Sequence, residues 1–91
     1  MLKVAVGAVF DIALGCSPST GYMWQPNPLP EGVALLGSEF VAPADAQVGD
    51  AGQQVFHLRA ERAGHYTLVL VLKRRWETDP IETHTVDVVA S

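Results

Sequence analysis

The stretch Gly64-His65-Tyr66-Thr67-Leu68-Val69-Leu70-Val71-Leu72 decides the fold class. From Tyr66 to Leu72 it is apolar almost throughout and rich in β-branched and aromatic residues. A turn, Ala63-Gly64-His65, precedes it and the charged run Lys73-Arg74-Arg75 ends it. A run this short with such boundaries reads as a strand at the centre of a sheet, expected to be covered on both faces. Working outward, the period-two signature of half-buried strands recurs. Phe10, Ile12 and Leu14 alternate with Asp11 and Ala13; Phe56, Leu58 and Ala60 alternate with Val55, His57 and Arg59. Tyr22 and Trp24 alternate with Met23 and Gln25 before Pro26, Pro28 and Pro30 end the pairing, since proline cannot donate to a ladder. Glu31-Gly32 is a turn into two short strands, Val33 to Leu36 and Glu39 to Ala42, separated by Gly37 and Ser38 and closed by Pro43. The last strand runs from about Thr83 to Ala90 with Val86 and Val88 facing in.

Seven or eight short strands with frequent turns and very little helix predict an all-β antiparallel sandwich. Two details make it immunoglobulin-like. Gly64-His65-Tyr66 opens the penultimate long strand as a tyrosine corner does, and Trp24 stands on the third strand, where such sandwiches bury a tryptophan. Leu68 stands two residues after Tyr66, so the inter-sheet cysteine pair is absent and the fold has no disulfide. At 91 residues the chain is expected to form a single domain, 1–91, with one modest core. In this topology the loops after the second, fourth and sixth strands leave at one end. Loops 16–21, 47–53 and 74–81 are expected to hold those positions.

Composition narrows the function. A net charge of −4, with only six Lys and Arg spread along the chain, excludes a clustered basic surface for nucleic acid. No run is long and uncharged enough to span a membrane as a helix. Met1 to Cys16 ends Ala13-Leu14-Gly15-Cys16 after an early Lys3, in the manner of a bacterial lipoprotein cleavage site. Asp11 interrupts its apolar stretch, however, and cleavage there would delete a strand the sandwich needs. The compartment stays open: cytoplasmic, or periplasmic or secreted with a leader removed.

Residue by residue, most polar groups have structural explanations. His57, His65 and His84 are isolated in sequence, which argues against a metal site. No elbow motif frames Ser17 or Ser19, so no hydrolytic triad is expected and the chain is read as a non-enzyme without cofactor. Cys16 has no adjacent basic residue to lower its pKa and reads as a buried strand-end thiol. Trp24 reads as core. Trp76 differs, because a tryptophan in a charged loop needs either a groove on its own domain or a partner. The loop ahead of Tyr22 is short and stiff. Pro18 fixes its φ, Gly21 permits a positive one, and Ser17, Ser19 and Thr20 can each bond nearby backbone.

Ser17-Pro18-Ser19-Thr20-Gly21-Tyr22-Met23-Trp24 resembles the asparagine-proline-threonine-threonine-glycine-aromatic loop, followed by tryptophan, of the chagasin-type inhibitors of papain-like cysteine proteases. Gly49-Asp50-Ala51-Gly52 resembles that family's glycine-x-glycine-glycine loop, and Arg74-Arg75-Trp76 its arginine-proline-tryptophan loop. The three motifs occur in family order across nearly the whole chain.

The resemblance implies an immunoglobulin-like domain that wedges three loops into the protease cleft as a reversible competitive inhibitor, with no cleavage of the inhibitor. By motif, Ser17, Pro18, Ser19, Thr20, Gly21 and Tyr22 form the central protease-binding loop, with Thr20 over the catalytic dyad. Gly49, Asp50, Ala51 and Gly52 pass along the non-primed side, and Arg74, Arg75 and Trp76 pack on the primed side. The implied partner is a papain-type or cathepsin L-type enzyme, met by a monomer. Four positions depart from the pattern: Ser17 for asparagine, Ser19 for threonine, Ala51 for glycine and Arg75 for proline. The last removes a fixed φ from the third loop and adds charge beside Trp76. The competing reading is an immunoglobulin-like adhesion or assembly module that pairs through a strand edge or sheet face and uses these loops only as connectors.

Overall fold

The structure, a computed structural model, describes residues 1–16, 21–41 and 52–91. Seven strands lie among them: β1 (Leu2–Val4), β2 (Val9–Cys16), β3 (Tyr22–Pro26), β4 (Val33–Val41), β5 (Gly52–Ala60), β6 (Gly64–Arg74) and β7 (Glu82–Ala90). They form two sheets, ordered β1-β7-β6-β3 and β2-β5-β4. This is the expected all-β immunoglobulin-like sandwich, with one departure from a wholly antiparallel arrangement. The short β1 runs parallel to β7, Leu2 to Val4 facing Val88 to Ala90.

Period-two alternation sets the core. Phe10, Ile12, Leu14 and Cys16 of β2 turn inward, and so do Gln54, Phe56, Leu58 and Ala60 of β5. They meet Trp24, Leu68, Leu70, Val88 and Ala90 from the other sheet, and Leu58, Leu68 and Val88 are the largest side chains that are fully enclosed. Tyr66 makes the expected corner, its hydroxyl donating to the Arg62 carbonyl at 2.8 Å.

Two expectations are corrected. β6 is central in its sheet, but only one face is fully covered. Leu68 and Leu70 are buried, whereas Val69 and Val71 on the other face stay half-exposed because no second layer lies over them. The two strands expected on either side of Gly37 and Ser38 are one strand, β4, in which Leu35 pairs with Leu58 and Gly37 with His57. Leu36 is the extra residue of a β-bulge, which keeps the strand running through Gly37 and Ser38.

Gln54 is the buried polar residue of the core, in phase with Phe56 and Leu58. Its side-chain amide reaches across the sandwich to β3. The Trp24 N–H donates to Gln54 Oε1 at 2.8 Å, and Gln54 Nε2 donates to the Trp24 carbonyl at 2.8 Å. β3 is an edge strand, with β6 on one side only. Residues of an antiparallel pair point both backbone groups toward the partner or both away. Those of Trp24 point away from β6, and the Gln54 amide takes the place of the missing neighbour. Gln54→Leu, of similar volume, leaves a buried N–H and a buried carbonyl unpaired. It is expected to lower the unfolding free energy by about 2–4 kcal/mol, read from chemical denaturation.

Candidate functional site

The β2–β3, β4–β5 and β6–β7 connections all leave the sandwich at one end. Strand register fixes this: Cys16 faces Gly52, Val41 faces Gln53, Tyr22 faces Arg74 and Leu72 faces Glu82. Of the expected site residues, Ser17, Pro18, Ser19, Thr20, Gly49, Asp50 and Ala51 lie outside the described residues. Gly21, Tyr22, Gly52, Arg74, Arg75 and Trp76 are described, and the strands bring the feet of all three loops together.

The feet of the first loop are tied to each other through the core. The Trp24 indole Nε1–H donates to the Gly15 carbonyl at 2.8 Å, joining β3 to the end of β2. One residue further out, the Cys16 thiol lies 3.6 Å from the Tyr22 carbonyl and 3.7 Å from Met23 Sδ. Burial pushes the Cys16 thiol pKa up, as expected of an inert strand-end cysteine. Gly21, where the chain returns, has φ +83°, a left-handed conformation that a side chain would strain.

The third loop joins the first through a stack of three side chains. Tyr22 and Arg74 face each other across the β3–β6 ladder. The Arg74 guanidinium lies over the Tyr22 ring at 4.5 Å from its centroid and over the Trp76 ring at 5.9 Å. Trp76 itself is 71% exposed. The loop is closed at its base by the Glu77 N–H donating to the Arg74 carbonyl at 3.0 Å and the Ile81 N–H donating to the Leu72 carbonyl at 2.8 Å. Ile81 is 60% exposed in this loop, a second apolar surface that the sequence reading passed over. Its signal was an aliphatic residue after Glu77-Thr78-Asp79-Pro80.

The foot of the second loop is crowded. A Cβ on Gly52 would lie 2.6 Å from the Val41 carbonyl oxygen and 2.6 Å from Phe40 Cζ, so only glycine fits under that ring. The histidines lie away from this end or serve packing. His84 meets the Trp24 ring edge-on at 6.3 Å between centroids. His57, on the outer face of β5, bridges the neighbouring strands: Nδ1 lies 2.7 Å from Asp11 Oδ1 on β2 and Nε2 lies 3.2 Å from Glu39 Oε1 on β4. Ionised carboxylates only accept, so both bonds can be made at once only by the imidazolium. The Asp11 bond first, then the Glu39 bond and the charges of both, raise the His57 pKa, with desolvation opposing.

Residues 3–89 match the profile of the chagasin family peptidase inhibitor I42. The chain belongs to the chagasin family of peptidase inhibitors. It is 29% identical to chagasin of Trypanosoma cruzi over 83 residues, covering 82% of this chain and 73% of that protein. Among solved structures it is similar to the cysteine protease inhibitor EhICP2 of Entamoeba histolytica, with a TM-score of 0.83 and 26% identity over 99% of this chain and 85% of that one. It also resembles amebosin, with a TM-score of 0.78 and 28% identity over 99% of this chain and 87% of that one. This chagasin-family chain therefore shares its fold with a solved cysteine protease inhibitor.

Two outcomes are expected. Gly52→Ala drives a methyl into the Val41 carbonyl and is expected to cost about 1–3 kcal/mol of stability, measured by denaturant titration. For His57, the folded pKa lies above the unfolded value of about 6.5. The bridge therefore contributes fully below about pH 6.5, and its contribution is lost as pH rises through the folded value. The melting-temperature gap between wild type and His57→Gln should accordingly be widest below about pH 6.5 and narrow as pH rises above it.

Proposed function

We propose that this chain is a reversible, competitive inhibitor of papain-like cysteine proteases that seats loops 16–21, 47–53 and 74–81 in the active-site cleft. The observation that carries this reading is Trp76. It is 71% exposed, and Arg74 links it to Tyr22 at the foot of the first loop. A tryptophan raised from the end of a sandwich beside a glycine-bearing loop is a binding anchor, since a large aromatic brings much contact area for two rotatable bonds. Family membership supplies the target class: chagasin-family relatives inhibit cysteine proteases. Pro18 to Gly21 then lie over the catalytic Cys and His, Gly49 to Gly52 follow the non-primed side, and Arg74 and Trp76 the primed side. Small side chains in the first two loops let backbone approach a narrow cleft. The chain acts as a single domain, 1–91, as a monomer and without catalysing a reaction of its own.

The adhesion or assembly module is favoured only by β4, an edge strand with Leu35, Leu36, Phe40 and Val41 exposed. The bulge at Leu36 interrupts that edge, which weakens it as a template for a further strand. The module also gives exposed Trp76 no task.

Steady-state inhibition of papain and of a cathepsin L-type enzyme tests the proposal. Competitive inhibition is expected, weakened about 30-fold by Trp76→Ala, the factor for a hot-spot residue of about 2 kcal/mol, and weakened also by Thr20→Ala. A folded protein that inhibits neither enzyme at micromolar concentration overturns it.

A further inference from the structure

We propose that Arg74 is a positioning residue: held between the Tyr22 and Trp76 rings, its guanidinium fixes the orientation of Trp76 and couples the third loop to the first. This rests on the inhibitor reading for its purpose but on geometry for its substance. Arg75 stands where the chagasin-type pattern has proline, so the backbone of the third loop lacks the fixed φ that would hold Trp76. The stack supplies the constraint instead. Tyr22 and Arg74 are direct cross-strand partners, so register places the guanidinium over the phenol, 4.5 Å from its centroid. From there it reaches the Trp76 ring at 5.9 Å. Gly21 sits beside the stack, where a Cβ would lie at contact distance, 3.8 Å, from Arg74 Cγ and from the Trp76 ring. A planar guanidinium lies flat against a ring and an ammonium does not, so lysine is a poor replacement at this position despite its charge. A tryptophan held before contact loses less freedom on binding, which is how the stack acts on affinity.

The two indole N–H groups provide the test. The Trp24 indole is bonded to Gly15 and serves as a rigid internal reference, and Trp76→Phe assigns the other signal. Nitrogen relaxation of the wild type should give a Trp76 order parameter near that of rigid backbone, roughly 0.85, falling below about 0.6 in Tyr22→Leu and in Arg74→Lys. The Trp24 signal should not change, and Tyr22→Phe, which keeps the ring, should restore wild-type order. In parallel, papain inhibition should weaken about tenfold in Tyr22→Leu and Arg74→Lys, and Tyr22→Leu should add little once Trp76→Ala is present. A Trp76 indole that stays equally ordered in both variants overturns the proposal, whatever the inhibition assay gives. Loss of order in a protein that never inhibits papain upholds the positioning role and overturns the protease reading alone.

Discussion

The Gln54 amide, bonded to both backbone groups of Trp24, is the contact on which the arrangement of the two sheets depends. Apolar packing between sheets is strong but non-directional, and it would tolerate β3 sliding along its own axis. Two hydrogen bonds buried in a low-dielectric core do not tolerate that, because any shift leaves a polar pair without partners. The amide gives an edge strand a second neighbour borrowed from the opposite sheet. It thereby sets the height of Trp24, whose indole bonds the Gly15 carbonyl and so fixes the distance between the feet of the first loop.

From that point the order passes outward. Tyr22 lies two residues before Trp24 on the same strand, at the rim where the core ends and the loops begin. Its position relative to Arg74 follows from the β3–β6 register and not from the loops themselves. Gly52 is set in the same way, under Phe40 and opposite Cys16. The end that bears the three loops is thus built on strand ends whose geometry the core fixes, and a loop on such a foundation begins from fixed points in space.

What could be read from the sequence was what is local. The period-two alternation of Phe10, Ile12 and Leu14 and of Phe56, Leu58 and Ala60 gave two core strands, and Gly64-His65-Tyr66 gave the corner that the Tyr66 hydroxyl makes with Arg62. Family motifs named the loop residues, and the described ones gather at one end. The misses are non-local. Gln54 falls on the inward phase of β5, a signal that it must find a partner, but nothing local says that the partner is the Trp24 backbone. Gly37-Ser38 has the composition of a break, yet the partner strand β5 runs past and pairs with both residues, leaving only Leu36 as a bulge. The apolar run of β6 promised cover on both faces, whereas a two-layer sandwich covers only one. The pairing of β1 with β7 joins the two ends of the sequence across three residues, too few to show a period.

The loss of proline from the third loop changes the kind of rigidity available to it. Proline restricts the backbone in the free and unfolded chain alike, independently of its neighbours. A guanidinium held between two rings restricts it only while both rings are present, and one of those rings belongs to the first loop. The stack therefore makes the third loop and the foot of the first share one constraint that proline would have kept local. Substitutions at Tyr22 and Trp76 should then be non-additive in their effect on the order of the third loop.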